Sequence, residues 1–216
     1  AVVHYRAIAG ADRKLASNDV LLLDSGGHYY DGTTDITRSI AIGTPPKGAV
    51  AAYSHVLQSH SQLATTKFPA GTNGKQLDAI ARAPLLAAGL DFAHGTGHGV
   101  GHVLSVHEGP ASISKRGDVA LEAGMVLSNE PGYYQTGDWG IRIENLIVVT
   151  PAKQTGFLEF ETITLCPLDR RLIDKTLLDA GEIGWIDHYH RAVYGQLHPH
   201  LSPMAKSWLE AACRPL

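Results

Sequence analysis

The residues best placed to do chemistry lie in two acidic stretches with a histidine-rich stretch between them. In the first, LLLDSGGHYYDGTTDITRSIAI (Leu21 to Ile42), an apolar run ends in Asp24, and Asp35 stands in a returning segment of β-branched residues. Ser25-Gly26-Gly27 and Asp31-Gly32 supply turn chemistry, so the stretch reads as a hairpin in which Asp24 and Asp35 face each other. A carboxylate at the end of an apolar strand, opposed by a second one, is costly to leave charged unless a cation or base compensates it. Taken alone, the pair reads equally well as two ordinary turn aspartates.

The second acidic stretch runs from Met125 to Thr150. Met125 to Glu130 reads as one strand, Pro131 to Asp138 as the turn, and IRIENLIVVT (Ile141 to Thr150) as the return. Alternation in the return strand sends Ile141 and Ile143 to one face and Arg142 with Glu144 to the other. An inward-facing Arg and Glu need partners, and Glu130 on the neighbouring strand is the companion of Glu144. Between the two hairpins lies HGTGHGVGHVLSVHEGP, His94 to Pro110. Glycine weakens both helix and strand, so most of this stretch is expected to be a loop that brings imidazoles close to something else. His98 and His102 have the spacing of an HExxH zinc helix, but Gly99-Val100-Gly101 holds no glutamate and makes a poor helix, which rejects that motif. A Gly-rich turn with backbone-bonded histidines is the other reading.

Two carboxylate pairs on two hairpins, with a histidine loop between them, form the inventory of a dinuclear metal site. Two divalent ions about 3.5–4 Å apart need bridging carboxylates, oxygen-rich ligation and a position left for water. Four carboxylates and one imidazole meet that need, and so hard a donor set favours Mn²⁺ or a similar first-row ion over a thiolate-type zinc site. A water shared by the ions would be acidified enough to act as hydroxide near neutral pH.

The elements that must position these groups are those of a single domain with a substantial core. The chain has 216 residues, 44% of them apolar, and a net charge of −3 that gives no basic footprint for nucleic acid or a membrane. Neither a leader pattern nor an apolar run of spanning length is present, and Cys166 and Cys213 are too few for a disulfide framework, so a reduced, cytoplasmic setting is the expectation. Ala1 to Tyr5 reads as a strand already under way, and a preceding segment is expected; the strand itself is predicted over Val2 to Ala9. Helical spacing predicts one helix over Ala49 to Thr66, with His55 and His60 at its surface. A second is capped by Asn73, runs from Gly74 to Ala88 and is kinked or split at Pro84. Beyond Pro151, Phe157 to Leu165 alternates as a last strand. Helices are predicted over Asp169 to Leu178, Ala180 to Tyr194 and Ser202 to Ala212, with Trp185, Tyr189 and Trp208 packed against the domain or offered as a dimer contact.

DSGGHYYDGTTDITR, HGTGHGVG, VHEGP, SNEPGYY and GIRIEN, in this order, closely resemble the catalytic domain of Xaa-Pro aminopeptidases, in the methionine aminopeptidase and prolidase group. The resemblance runs essentially end to end. It implies an α+β pita-bread fold, a curved antiparallel sheet covered by helices, and places residues 1–216 in a catalytic domain whose longer relatives carry two further N-terminal domains and commonly dimerise. It also implies two divalent ions, usually manganese with cobalt or zinc as alternatives, held by Asp24, Asp35, His98, Glu130 and Glu144. The implied reaction is hydrolysis of the bond between an N-terminal residue and a following proline, with a bridging hydroxide as nucleophile. Glu130 is then the proton shuttle, His98 and His107 belong to the catalytic group, and His107 stabilises the tetrahedral intermediate. His4, His94 and His107 line the substrate site, and Arg142 anchors the carboxylates. His28 and His102 match no role and read as loop or solvent-facing residues. Prolidase or methionine aminopeptidase activity on the same scaffold, and a non-catalytic peptide-binding module of the same fold, stay open beside this reading.

Overall fold

The computed structural model describes residues 3–5, 8–10, 12–103 and 105–216. Its first element pair is the expected hairpin, β1 (Asp19–Tyr29) with β2 (Gly32–Ile42), in unbroken antiparallel register from Asp19 opposite Ile42 to Tyr29 opposite Gly32. Only Tyr30 and Asp31 are left for the turn, so Ser25-Gly26-Gly27, expected in a turn, lies within β1. Gly26 serves a close approach instead: it is paired with Asp35, and a Cβ there would stand 2.8 Å from the Thr34 carbonyl oxygen. Asp24 is paired with Thr37, which makes Asp24 and Asp35 diagonal neighbours on one face rather than directly opposed.

A six-stranded antiparallel sheet forms the main layer, in the spatial order β3 (Phe68–Pro69), β10 (Phe157–Thr162), β9 (Asn145–Pro151), β6 (Val126–Asn129), β4 (Gly97–Val100), β5 (His107–Ile113). A short ribbon, β7 (Gly132–Tyr134) with β8 (Gly140–Arg142), completes the strands. The return strand expected over 141–150 is therefore broken after Arg142. At the break the Ile143 amide donates to Pro131 O (3.3 Å) and the Glu144 amide to Thr37 O (3.1 Å), which ties the second hairpin to β2. Strands also intrude on the glycine-rich stretch expected to be mostly loop. A Cβ on Gly97 would overlap the Ser128 carbonyl and one on Gly99 the Glu108 carbonyl, so glycine here lets neighbouring backbones close on β4.

Helices α1 (Ala49–Thr65), α2 (Gly74–Ala87), α3 (Ala180–Leu197) and α4 (Pro203–Ala212) cover the strands. Asn73 caps α2 in a full capping box with Gln76, and the helix runs through Pro84 unsplit. The helix predicted over Asp169–Leu178 is instead two 3₁₀ turns, Arg170–Leu172 and Lys175–Leu177. Asp169 and Asp174 each accept from the amide two residues on, a local bond that competes with α-helix. Of the strand predicted over Val2–Ala9, the described residues lie in turns and irregular backbone.

Two apolar clusters hold the layers. One packs Tyr53, Val56 and Leu57 of α1 against Ile141, Ile143, Leu172, Ile186 and Val193; the other packs Leu77 and Ala81 of α2 against Ile113, Leu127, Ile147 and Val149 of the sheet. Trp185 stacks on buried Tyr189 at 5.5 Å between ring centroids, whereas Trp208 is 62% exposed, the second of the two expected arrangements for these aromatics.

His60 corrects a surface expectation. It continues the stripe Tyr53, Val56, Leu57, Leu63 on the inner face of α1, is fully buried, and has no hydrogen-bond partner on either ring nitrogen among the described residues. Burial, aided by the nearby Arg38 charge, holds its pKa down to about 3 from 6.5. The unfolded chain therefore takes up a proton below pH 6.5 that the folded chain refuses until about pH 3, so stability is complete above 6.5 and falls as pH drops through that window. The loss is on the order of 5 kcal/mol for this group alone. Denaturant unfolding at pH 7, 5.5 and 4 should show a shallower acid loss in His60→Leu than in the parent; parallel pH profiles would contradict the assignment.

Candidate metal centre

All three sheets meet at one cleft of about 690 Å³ lined by Asp24, Asp35, His98, His107, Glu130 and Glu144, with His4, Tyr5, His94 and Arg142 around them. Asp24 comes from β1, Asp35 from β2, His98 from β4 and His107 from the start of β5. Glu130 follows the last residue of β6, and Glu144 sits at the break between β8 and β9. Because Asn129 pairs with Asn145, the next register step brings Glu130 and Glu144 side by side. Three overlapping groups result, each with donor atoms within 4.8 Å of one another: Asp35, His98 and His107; His98, Glu130 and Glu144; Asp24, Asp35 and Glu144. Every predicted ligand thus enters at least one group.

The cleft is driest at its floor. Glu144 is 2% and Asp35 8% exposed, while the Asp24 side chain is 47% exposed at the rim. Burial, with the Glu130 and Asp35 charges beside it, pushes the Glu144 pKa well above the ordinary carboxylate range. Burial also raises Glu130, against the pull of His98 and Arg142. For His98, burial lowers the pKa, but the Asp35 contact, the Gly99 carbonyl, Glu130 and Glu144 outweigh it and the net direction is up.

The imidazole of His98 tests whether cations fit. Its Nδ1–H donates to Gly99 O at 2.9 Å, which turns the Nε2 lone pair toward Asp35 Oδ2 at 3.5 Å and Glu130 Oε1 at 3.3 Å. A lone pair facing two carboxylate oxygens is repulsive unless a proton or a metal ion lies between them. Oxygen-rich donors, one oriented imidazole and mutually raised carboxylates are the chemistry a pair of hard divalent ions would satisfy.

Other side chains hold this set in place. Thr37 Oγ1 donates to Glu144 Oε2 at 2.6 Å, and Ser128 Oγ donates to Glu130 Oε1 at 3.1 Å while accepting from the His98 amide at 3.0 Å. The Arg142 guanidinium reaches Asp24 Oδ2 at 2.7 Å, Thr37 Oγ1 at 3.2 Å and Tyr134 Oη at 2.9 Å, and its Nε stands 3.8 Å from Glu130 Oε2. Tyr134 Oη also donates to His94 Nε2 at 2.9 Å, while His94 Nδ1–H donates to Gly95 O at 2.7 Å. Burial, then the Arg142 and Arg82 charges, hold His94 down to about 4, so it lines the cleft as a neutral ring. Arg82, paired with buried Asp78, fixes that segment through the carbonyls of Phe92 and His94. His107 is exposed at the rim, its ring 4.0 Å from that of His98. His28 and His102 stay outside, joined only through Thr33.

Thr37, Ser128 and Tyr134 were not picked out by sequence reasoning. Thr37 and Ser128 each lie two residues from a carboxylate, so strand alternation carried the signal. Tyr134 had none, because its place depends on the ribbon register that sets Gly132 opposite Arg142.

Comparison with known proteins agrees with this geometry. Residues 1–151 match metallopeptidase family M24, and residues 156–216 match the C-terminal region of peptidase M24. A probable Xaa-Pro aminopeptidase P of Laccaria bicolor is 43% identical over the whole chain, which covers 35% of that protein. An Xaa-Pro aminopeptidase of Caenorhabditis elegans is 44% identical, again over the whole chain and 37% of its own length. Among solved structures, the X-prolyl aminopeptidase of C. elegans, described as a cytosolic enzyme with a di-nuclear active site, superposes over 99% of this chain and 36% of that one. Its TM-score is 0.93 at 44% identity. A prolidase of Thermococcus sibiricus gives a TM-score of 0.66 at 31% identity over 79% of this chain and 43% of its own. The chain belongs to metallopeptidase family M24, with its pita-bread fold, and spans about a third of the length of the curated relatives it matches.

Chelator-treated protein given Mn²⁺ at about 100 times the dissociation constant should gain about 2.7 kcal/mol, or roughly 5–10 °C in Tm. Asp35→Asn should remove most of that gain. A parent chain whose Tm ignores Mn²⁺, Co²⁺ and Zn²⁺ would refute the metal reading.

Proposed function

We propose that this chain is the catalytic metallopeptidase domain of an Xaa-Pro aminopeptidase, releasing an N-terminal residue that precedes proline. The observation that carries the reading is the convergence of Asp24, Asp35, His98, Glu130 and Glu144, with the lone pair of His98 aimed into the carboxylates. What favours an aminopeptidase over a prolidase is the fuller likeness to the C. elegans enzyme, TM-score 0.93 against 0.66 for the T. sibiricus prolidase.

In this reading those five residues would hold two divalent ions, Mn²⁺ by the hardness of the donors, with Co²⁺ or Zn²⁺ as substitutes. When bound, such ions supply an acidified water and polarise the scissile carbonyl. The remaining work falls to the chain. Glu130 Oε2 carries the proton between nucleophile and leaving nitrogen, while Ser128 Oγ, itself held by the His98 amide, fixes its other oxygen. His107, at the rim beside His98, donates to the developing oxyanion. Neutral His94 and, from the N-terminal turn, His4 line the space for the substrate and its proline ring. Arg142 holds Asp24 and Thr37 so that the carboxylates keep their aim.

The proposal extends to a cytoplasmic homodimer acting on peptides with proline in the second position. The cytosolic description of the C. elegans enzyme supports the setting and the Xaa-Pro names of the relatives support the proline, while the homodimer is what the sequence resemblance implies.

Metallated protein should release Arg from Arg-Pro-Pro faster than it cleaves Gly-Pro or Met-Ala. Glu130→Gln, which keeps the shape but loses both the proton carrier and a charged metal ligand, should lower turnover by at least about 10²–10⁴-fold. Preferential cleavage of Gly-Pro would make the chain a prolidase, and release of Met from Met-Ala alone would make it a methionine aminopeptidase.

A further inference from the structure

Among the described residues, the C-terminal region 156–216 supplies none of the grouped donor atoms, yet it is bonded to the strands that carry them. The link is Arg38. It follows Thr37 on β2, so alternation turns its side chain away from the metal face and into the interior, where it is buried. Its Nη1 donates to Thr37 O at 2.9 Å and to Glu144 O at 2.6 Å. Nη2 donates to Asn145 Oδ1 and Cys166 O, both at 2.8 Å, and to Tyr189 Oη at 2.9 Å, and Nε donates to Pro167 O at 3.2 Å. The acceptors divide between the two family regions: Thr37, Glu144 and Asn145 in the first, Cys166, Pro167 and Tyr189 in the second. The Tyr189 hydroxyl closes the arrangement by donating to Cys166 O at 2.9 Å.

We propose that Tyr189 and the Cys166–Pro167 segment are positioning elements for the metal centre, acting through Arg38 on the backbone of Thr37 and Glu144. The inference rests on the reading of Glu144 as a metal ligand. Thr37 aims the Glu144 carboxylate through its 2.6 Å side-chain bond, and the Glu144 amide bonds to Thr37 O at 3.1 Å, so each backbone's place sets the other's. Nη2 shares its N–H groups among Asn145, Cys166 and Tyr189, and Tyr189 Oη also accepts from the Cys166 amide at 3.3 Å, so losing the hydroxyl frees the Cys166 segment and lets the fork tilt toward the partners that remain. The fork holds the carbonyls of both residues, so a tilt moves the carboxylate they share. Partners one bond removed from a metal ligand typically govern metal affinity by 10–100-fold.

The test compares the parent with Tyr189→Phe, which keeps the ring and loses the hydroxyl, and with Trp185→Phe, which disturbs the stack on the same ring without touching Arg38. Each chain is stripped with chelator, titrated calorimetrically with Mn²⁺, and separately loaded with Co²⁺ for its visible absorption. Tyr189→Phe should lose about tenfold or more in affinity for at least one ion and change the Co²⁺ spectrum. Trp185→Phe should keep both properties while losing a comparable amount of thermal stability. Arg38→Lys, which retains charge but cannot span both sets of acceptors, should behave as Tyr189→Phe does. Parental affinity and spectrum in Tyr189→Phe or Arg38→Lys, or an equal loss in Trp185→Phe, would overturn the inference. A parent that binds no ion would instead overturn the metal-centre reading, and this inference with it.

Discussion

Carboxylates that must stand close together in a dry cleft repel one another, and the rest of this fold is arranged around that cost. Asp35 and Glu144 are almost without solvent, and their neighbours' charges raise the pKa of Glu144 beyond what burial does alone. The Arg142 guanidinium at the cleft is spent on Asp24 at the wetter rim, and its Nε stands 3.8 Å from Glu130. Neutral donors do the rest: Thr37 and Ser128 each give one hydrogen bond to a glutamate without adding charge. Such a set is aimed and incompletely compensated, which is the condition under which divalent cations bind tightly.

How the chain brings the set together explains its irregularities. A continuous strand over 141–150 would have kept the Glu144 amide on its own hairpin. The break after Arg142 gives that amide to Thr37 and so fuses the second hairpin to the first. The glycines of β4 act in the same sense, because side chains at Gly97 and Gly99 would hold off the Ser128 and Glu108 carbonyls and with them the strands that flank His98. On the far side, the buried Asp78–Arg82 pair pins the segment from Phe92 to His94, and the carbonyl of Thr96 accepts from the Glu130 amide at 2.7 Å.

Much of this was legible in the sequence where a local period carried it. Asp24 and Asp35 stand on alternating strands, and Glu130 and Glu144 directly adjoin β6 and β9, so alternation and its continuation by one residue say which residues share a face. The cap at Asn73 was legible from local sequence too, though its reciprocal bond with Gln76 was not read. His60 carried a signal that was misread: its place in the stripe of Tyr53, Val56 and Leu57 outweighs its polarity, and the helix buries it unprotonated. Tyr134 and the role of Arg38 were not legible, because both depend on contacts between elements far apart in sequence. The 3₁₀ turns at Arg170 and Lys175 replace a predicted helix since Asp169 and Asp174 satisfy backbone amides locally, a competition that hydrophobic spacing does not register.

The placement of Arg38 bears on why a helical C-terminal region accompanies a site it does not enter. Side chains on β2 point alternately to the cleft and to the interior, so a strand carrying Asp35 and Thr37 toward ions must carry Ile36 and Arg38 toward whatever lies behind. An apolar residue at position 38 would leave the carbonyls of Glu144, Cys166 and Pro167 to find other donors inside the protein. A guanidinium meets all three, and its acceptors there are carbonyls, an amide oxygen and a hydroxyl rather than a carboxylate. The C-terminal region thus does more than cover the sheet: by seating Arg38 it holds the carbonyls of Thr37 and Glu144, the backbone behind the acids, in one place.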